Sequence, residues 1–168
     1  MRLSQGQRLM SSLAMQTTSG VVVRELCAGD RSRWLHLRQQ LWPDSDEVDA
    51  MTWASREDAM TLIAEDPQEG IIGFAEVGLR PYADGCDTSP VAFLEGWYVC
   101  PLHRRRNVGK SLVQAAVGWA TKSGVHELAS DSLLEDVTAS IAHIRVGFEE
   151  VERSIRYRMP LDRTATNQ

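Results

Sequence analysis

The stretch Tyr98-Val99-Cys100-Pro101-Leu102-His103-Arg104-Arg105-Arg106-Asn107-Val108-Gly109-Lys110 decides how this chain is read. Before it, Val91 to Cys100 is rich in aromatic and branched side chains, which predicts the strongest strand of the chain, ended by Pro101. After it, Val108, Leu112, Val113, Ala116, Val117 and Ala120 recur at helical spacing, with Lys110, Gln114, Thr121 and Lys122 on the opposite face. The unit is strand, basic turn, amphipathic helix. Several backbone N–H groups at a helix start lack internal partners and lie at the positive end of the dipole. Arg104, Arg105, Arg106 and Lys110 surround them with no acid between, so the turn is suited to a phosphate. A solvated basic turn is the alternative.

Working outward, Val21 to Leu26 predicts a strand by its β-branched content. Asp30 is placed to cap a helix in which Trp34, Leu37 and Leu41 share a face, ending at Trp42-Pro43. The acidic run Asp44 to Asp49 opens a second, weaker helix. Met60 to Ala64 and Ile71 to Val77 flank the turn Asp66-Pro67-Gln68-Glu69-Gly70, although the first arm could instead finish a helix. A loop at Arg80 to Gly85 precedes the long strand. Beyond the helix, a short strand from His126 to Ala129 ends at Ser130-Asp131. Val137, Ile141 and Ile144 mark a last helix stopped by Gly147, and Phe148 to Met159 alternates as a closing strand or hairpin would. Interleaved helices and strands indicate an α/β (α+β) domain on a mixed sheet.

The chain has 168 residues, 18 basic and 23 acidic, a net charge of −5, 43% hydrophobic and 24% charged residues. These values suit a single globular domain and exclude a disordered chain or an apolar membrane span. The acidic balance argues against a general nucleic-acid coat, while it suits a cationic ligand. Cys27, Cys86 and Cys100 have no metal-ligand spacing and, like the absence of a signal-like apolar run, fit a reduced, cytoplasmic compartment. His36, His103, His126 and His143 are not paired at ligand spacing either, so no metal is expected. Residues 1–20 read as a flexible tail, 21–162 as one domain, and 163–168 as a second tail.

Two phosphate-binding patterns compete at the basic turn. Gly109-Lys110-Ser111 mimics the end of a Walker loop, but that loop needs glycine at 104, where the chain carries Arg104. The other pattern is arginine, two residues, glycine, one residue, then glycine or alanine. Arg104 to Gly109 matches it with Asn107 in the glycine position, a residue that tolerates the left-handed backbone such a turn requires. This segment resembles the pyrophosphate-binding loop of the GNAT acetyltransferase superfamily. The resemblance extends to Gly85–Val99, Glu127–Asp131, Gly147–Arg153 and Leu41-Trp42-Pro43, which are similar to aminoglycoside 6'-N-acetyltransferases. It spans about residues 21–160 and implies a GNAT fold, in which a central mixed, mostly antiparallel sheet is flanked by helices.

The resemblance implies acetyl-CoA as cosubstrate, along the strand Trp97-Tyr98-Val99, with its pyrophosphate on Arg105, Arg106, Asn107, Val108, Gly109 and Lys110. It places Trp42, Tyr82, Glu95, Asp131 and Glu152 at substrate positions and implies a homodimer. His143 stands where the superfamily often carries a tyrosine that protonates the leaving thiolate, and Asp136 where it often carries an asparagine at the cofactor. Independently of family, simple alternation puts Glu95 on one face with Val91, Phe93, Trp97 and Val99. A buried carboxylate there needs a cationic partner, a bulge that exposes it, or a raised pKa. Gly96 in mid-strand suggests a bulge or a close backbone approach. Glu95 is then the first candidate base and Asp131 the second. Rival expectations keep the fold but acetylate a peptide, protein or polyamine, or make the domain a non-catalytic CoA sensor. Nucleic-acid binding is disfavoured by the acidic stretches at 44–49 and 127–136.

Overall fold

The computed structural model describes residues 15–16 and 20–160. The strands are β1 (Met15–Gln16), β2 (Val22–Glu25), β3 (Ala59–Asp66), β4 (Gly70–Arg80), β5 (Val91–Val99) and β6 (Leu128–Ser130). They lie side by side in that order, antiparallel throughout except for the parallel pair β5–β6. The helices are α1 (Arg31–Leu41), α2 (Glu47–Ala54), α3 (Val108–Lys122) and α4 (Val137–Val146). The expected mixed, mostly antiparallel sheet is therefore what forms. No helix of the described residues is long and apolar enough to cross a membrane.

Alternation, reset in β4 where Ile72 is the extra residue opposite Ala64 and Glu65, sends β3 and β4 side chains to two separate cores. Leu62, Ala64, Ile72, Ala75 and Val77 pack with Leu94 beneath the Val108, Leu112, Val113 and Ala116 face of α3. Ile63 and Phe74 face the other way, against Trp34 and Leu37 of α1 and Ala50 and Trp53 of α2. Met60–Ala64 is thus strand throughout, which removes the helical alternative. The β3–β4 turn is closed by Asp66 Oδ1, which accepts from the N–H groups of Gln68 and Glu69 at 2.8 and 3.1 Å.

Three local expectations change. Asp30 does not cap α1; its carboxylate accepts from Cys27 N–H at 2.7 Å and pairs with Arg24, closing the short 3-10 turn Ala28–Asp30. Met15–Gln16 pairs with Val22–Val23, so strand structure begins inside the segment expected to be a tail; the remainder of 1–20, apart from Gly20, and all of 163–168 lie outside the described residues. Phe148 to Met159 forms no strand. A strand needs an edge to pair with, and this segment pairs with none; Val151, Ile155, Tyr157 and Met159 stay exposed. It instead passes the loop before β5, close enough that a Cβ on Gly85 would lie 2.3 Å from Val151 Cγ2.

Candidate active site

The site begins where β5 changes neighbours. Ala92, Phe93 and Leu94 pair with Leu128, Ala129 and Ser130 of β6, and pairing stops there. On its other side, Gly96 pairs with Glu76 of β4 while Leu94 pairs with Val77, so Glu95 is the extra residue of a β-bulge. The bulge takes Glu95 out of the alternation that would have buried it. From Glu95 to Val99 the strand is half-exposed and has one free edge. Cys100 N–H donates to Ile72 O at 2.8 Å, so by alternation Tyr98 turns toward β4 and Trp97 and Val99 turn their peptide groups to the open edge. Val99 O accepts there from Arg104 Nε at 2.9 Å.

The basic turn follows directly. Arg105 and Asn107 both have left-handed backbones, φ 59° and 64°. The asparagine thus does what the sequence pattern asks of a glycine, and a second left-handed residue, Arg105, was not expected. A turn with left-handed residues at 105 and 107 is a backbone suited to bringing successive N–H groups toward one anion, as a nest does. Among the described residues, no N–H from Arg105 to Lys110 finds an acceptor, whereas Arg104 N–H bonds Pro101 O and Ser111 N–H bonds Asn107 O. Buried His103 holds the turn to the β3–β4 hairpin through Nε2 and Glu69 Oε2, 3.1 Å apart. Gly109 serves packing, since a Cβ there would lie 3.1 Å from the Trp97 ring.

On the α1 face of the sheet, beyond the bulge, lies a cavity of about 420 Å³ lined by Arg38, Trp42, Trp53, Arg56, Glu76, Arg80 and Glu95. Two glycines seat its aromatic walls. A Cβ on Gly96 would lie 2.4 Å from the Trp42 ring, and one on Gly78 would lie 3.1 Å from the Trp53 ring. Of the residues anticipated at the substrate, Trp42 and Glu95 meet here. Both Glu95 oxygens accept from Arg80, through Nε at 3.0 Å and through Nη2. Tyr82 is exposed on the loop after β4, Glu152 is exposed on the C-terminal segment, and Asp131 pairs with Arg156 at 2.6 Å just past β6. These three lie outside the cavity wall. Glu127 ties the Tyr82-bearing loop to β6 by accepting from the N–H groups of Asp87 and Thr88 and the Thr88 hydroxyl, which holds its pKa below the usual value.

Glu76 was not anticipated. It is fully buried, and its Oε1 accepts from Trp34 Nε1 at 3.0 Å and Arg38 Nε at 2.8 Å. Its Oε2 has no partner. Burial drives its pKa up to about 7, with the Arg38 guanidinium pulling the other way. The signal was present in the sequence, where Glu76 interrupts the apolar run of β4 on the same face as Phe74, just as Glu95 interrupts β5.

His143 faces the open edge from α4. Its ring lies 5.8 Å from that of Trp97 and 5.3 Å from that of Phe148. Nδ1 donates to Ala139 O at 2.8 Å, and Nε2 meets Ser130 Oγ at 3.0 Å. Asp136 caps α4 through Oδ1, which accepts from Ala139 N–H at 2.9 Å.

An open strand edge ending in an unsatisfied N–H nest, beside a carboxylate-bearing cavity, is the architecture of an acyl-transfer site. The profile of the acetyltransferase (GNAT) family matches residues 25–148, and the chain belongs to that family. It is similar to the aminoglycoside N(6')-acetyltransferase type 1 of Stenotrophomonas maltophilia, 44% identical over 151 residues, which are 88% of this chain and 98% of that protein. The protein of the same name from Klebsiella aerogenes is 41% identical over 150 residues, covering 85% and 99%. Among solved structures, aminoglycoside antibiotic 6'-N-acetyltransferase AAC(6')-Ih from Acinetobacter baumannii matches with a TM-score of 0.80 at 32% identity, over 85% of this chain and 100% of that one. AAC(6')-Iy in complex with CoA matches with a TM-score of 0.80 at 36% identity, over 88% and 99%.

Proposed function

We propose that this chain is an aminoglycoside 6'-N-acetyltransferase that moves an acetyl group from acetyl-CoA directly to the 6'-amine of the antibiotic. The observation that carries this reading is the run of unpartnered N–H groups from Arg105 to Lys110, continuous with the free edge of β5 and next to the Glu95 cavity. These residues fit a diphosphate followed by an amide-bearing arm. Acetyl-CoA would supply the activated acetyl group as a thioester.

The chain's own residues then have distinct roles. The N–H groups of Arg105, Arg106, Asn107, Val108, Gly109 and Lys110, with the Arg105 and Arg106 guanidiniums, hold the pyrophosphate. Trp97 and Val99 offer the arm a strand-like ladder, and Tyr98 anchors that ladder to β4. Glu95 exchanges Arg80 for an ammonium of the acceptor, which Trp42 covers, and takes up the amine proton. Tyr82, Asp131 and Glu152, on loops around the cavity, contact the remaining sugar hydroxyl and ammonium groups. Asp131 loses Arg156 when it does so. His143 Nε2 delivers a proton to the departing sulfur, and Asp136 positions α4 through its cap rather than touching the cofactor. Acetylation turns a cationic ammonium into a neutral amide, which is the chemical basis for a role in antibiotic resistance.

Within this proposal the enzyme is a cytoplasmic homodimer. Exposed Val137, Ile141 and Ile144 on α4 and exposed Val151, Ile155, Tyr157 and Met159 after it support a partner of the same kind. A monomeric mass by light scattering would remove that part.

Release of CoA thiol from acetyl-CoA with kanamycin, lysine peptides, polyamines or no acceptor tests the assignment. Turnover with kanamycin is expected. Turnover with peptides alone would overturn the substrate class, and none with any amine would leave a CoA-binding module.

A further inference from the structure

The carboxylate oxygens of the cavity are unequally occupied. Both oxygens of Glu95 are taken by Arg80, and Oε1 of Glu76 is taken by Trp34 and Arg38. Oε2 of Glu76 alone has no donor. A buried acceptor left without a donor is unfavourable, and Glu76 is shut off from water that would otherwise serve it. It belongs to the cavity wall, on the same sheet face as Gly96 and directly opposite it in the β4–β5 register.

We propose that Glu76 is a specificity-determining residue of the acceptor pocket, whose free oxygen, covered from solvent here, turns into the cavity to receive an ammonium group of the acceptor deeper than Glu95. This rests on the aminoglycoside reading and extends it, because it asks for an acceptor with two separated cationic groups. Glu95 takes one and Glu76 the other.

The charged groups around Glu76 set its balance between protonated and ionised forms. From α1 it faces Arg38; Asp49 of α2 reaches it through the same guanidinium, which Asp49 also binds. Arg56, and Glu95 with its Arg80 partner, complete the charged groups of the wall. With Glu76 protonated, the wall carries three guanidiniums against a single carboxylate. That excess of positive charge favours an ionised Glu76 against the burial that protonates it, and an ammonium beside the free oxygen adds to it. The O–H bond of Glu76 breaks, its proton leaves to the buffer, and the carboxylate pairs with the ammonium. Burial already sets the group at about 7, so near neutral pH about half the molecules have a proton to release.

Titration calorimetry of kanamycin into the CoA-loaded chain, at pH 7 in two buffers of different ionisation enthalpy, tests this. The wild type should release about half a proton more than Glu76→Gln, and at pH 8 the variant should bind kanamycin about 10-fold more weakly, with acetyl-CoA binding unchanged. Equal proton release and equal affinity would overturn the proposal. If Glu76→Gln does not fold, Glu76→Asp decides: weaker binding with proton release retained supports it, and wild-type affinity overturns it. A wild type that ignores kanamycin but acetylates another amine refutes the substrate class instead, and the same titration with that amine still decides the role of Glu76.

Discussion

Replacing Gly96 with alanine tests how the bulge, the tryptophan and the cavity depend on one another. Gly96 does not have a left-handed backbone, so the substitution acts by contact alone. The new Cβ would lie 2.4 and 2.7 Å from two atoms of the Trp42 ring and 2.8 Å from Leu41 Cδ2. Carbon atoms pack at about 3.5–4.0 Å, so the end of α1 must retreat by roughly 1 Å. That retreat disturbs the Arg38 guanidinium stacked 4.8 Å from Trp42 and the Trp42–Phe74 pair at 6.0 Å. Overpacking of this kind costs about 1–3 kcal/mol, which for a domain of this size lowers the melting temperature by roughly 2–12 °C. The nest is built by other residues, so the stabilisation conferred by acetyl-CoA in a thermal melt should be unchanged. Acceptor kcat/KM should fall about 10- to 100-fold, since misplacement of a binding wall by 1 Å is enough for that. Gly96→Ala melting with the wild type and keeping its acceptor kinetics would refute this account of Trp42.

Asn107→Ala should destabilise the chain by about 1 kcal/mol and reduce the acetyl-CoA thermal shift, because alanine is a poorer left-handed residue at φ 64°; Asn107→Gly should keep both. Replacing Arg105 and Arg106 together with alanine should nearly abolish that shift while leaving the ligand-free melt unchanged, as both side chains are exposed. Glu95→Gln should impair turnover while acetyl-CoA binding persists; unchanged kinetics across pH would remove Glu95 as base. Glu76 binds a proton more tightly folded than unfolded, so its contribution to stability is full below its ordinary value of 4.5 and is lost as pH rises to about 7. Chemical denaturation of Glu76→Gln against wild type from pH 4 to 8 should show the variant gaining relative stability with pH, by about 3 kcal/mol. A flat difference would refute the raised pKa.

Residues adjacent in sequence determine much of this protein. The passage from the Val91–Val99 strand through Pro101 into the α3 stripe announces a strand, an anion turn and a helix, since backbone preference and N–H accounting act over a few residues. Asn107 adopts the left-handed turn for the same local reason, and Glu95 was conspicuous because an acid in an apolar strand demands an explanation. Asp30 shows the limit even at short range, because its carboxylate chose Arg24 and Cys27 over the helix it precedes.

Contacts between distant residues were decided only by the tertiary structure. The register step that ejects Glu95 requires β4 beside β5, and the pairing of Glu95 with Arg80 follows from it. Glu76 lay in plain view within Phe74-Ala75-Glu76-Val77, yet its strained charge depends on Arg38, 38 positions away, and on the helix that seals it. Alternation after Phe148 predicted a strand, but alternation only marks which residues could share a face, and this segment pairs with neither the free edge of β5 nor the outer edge of β6. Local sequence sets backbone conformation and the sign of a surface, whereas burial, and with it the protonation of a carboxylate, is settled by which remote parts of the chain come to lie against it.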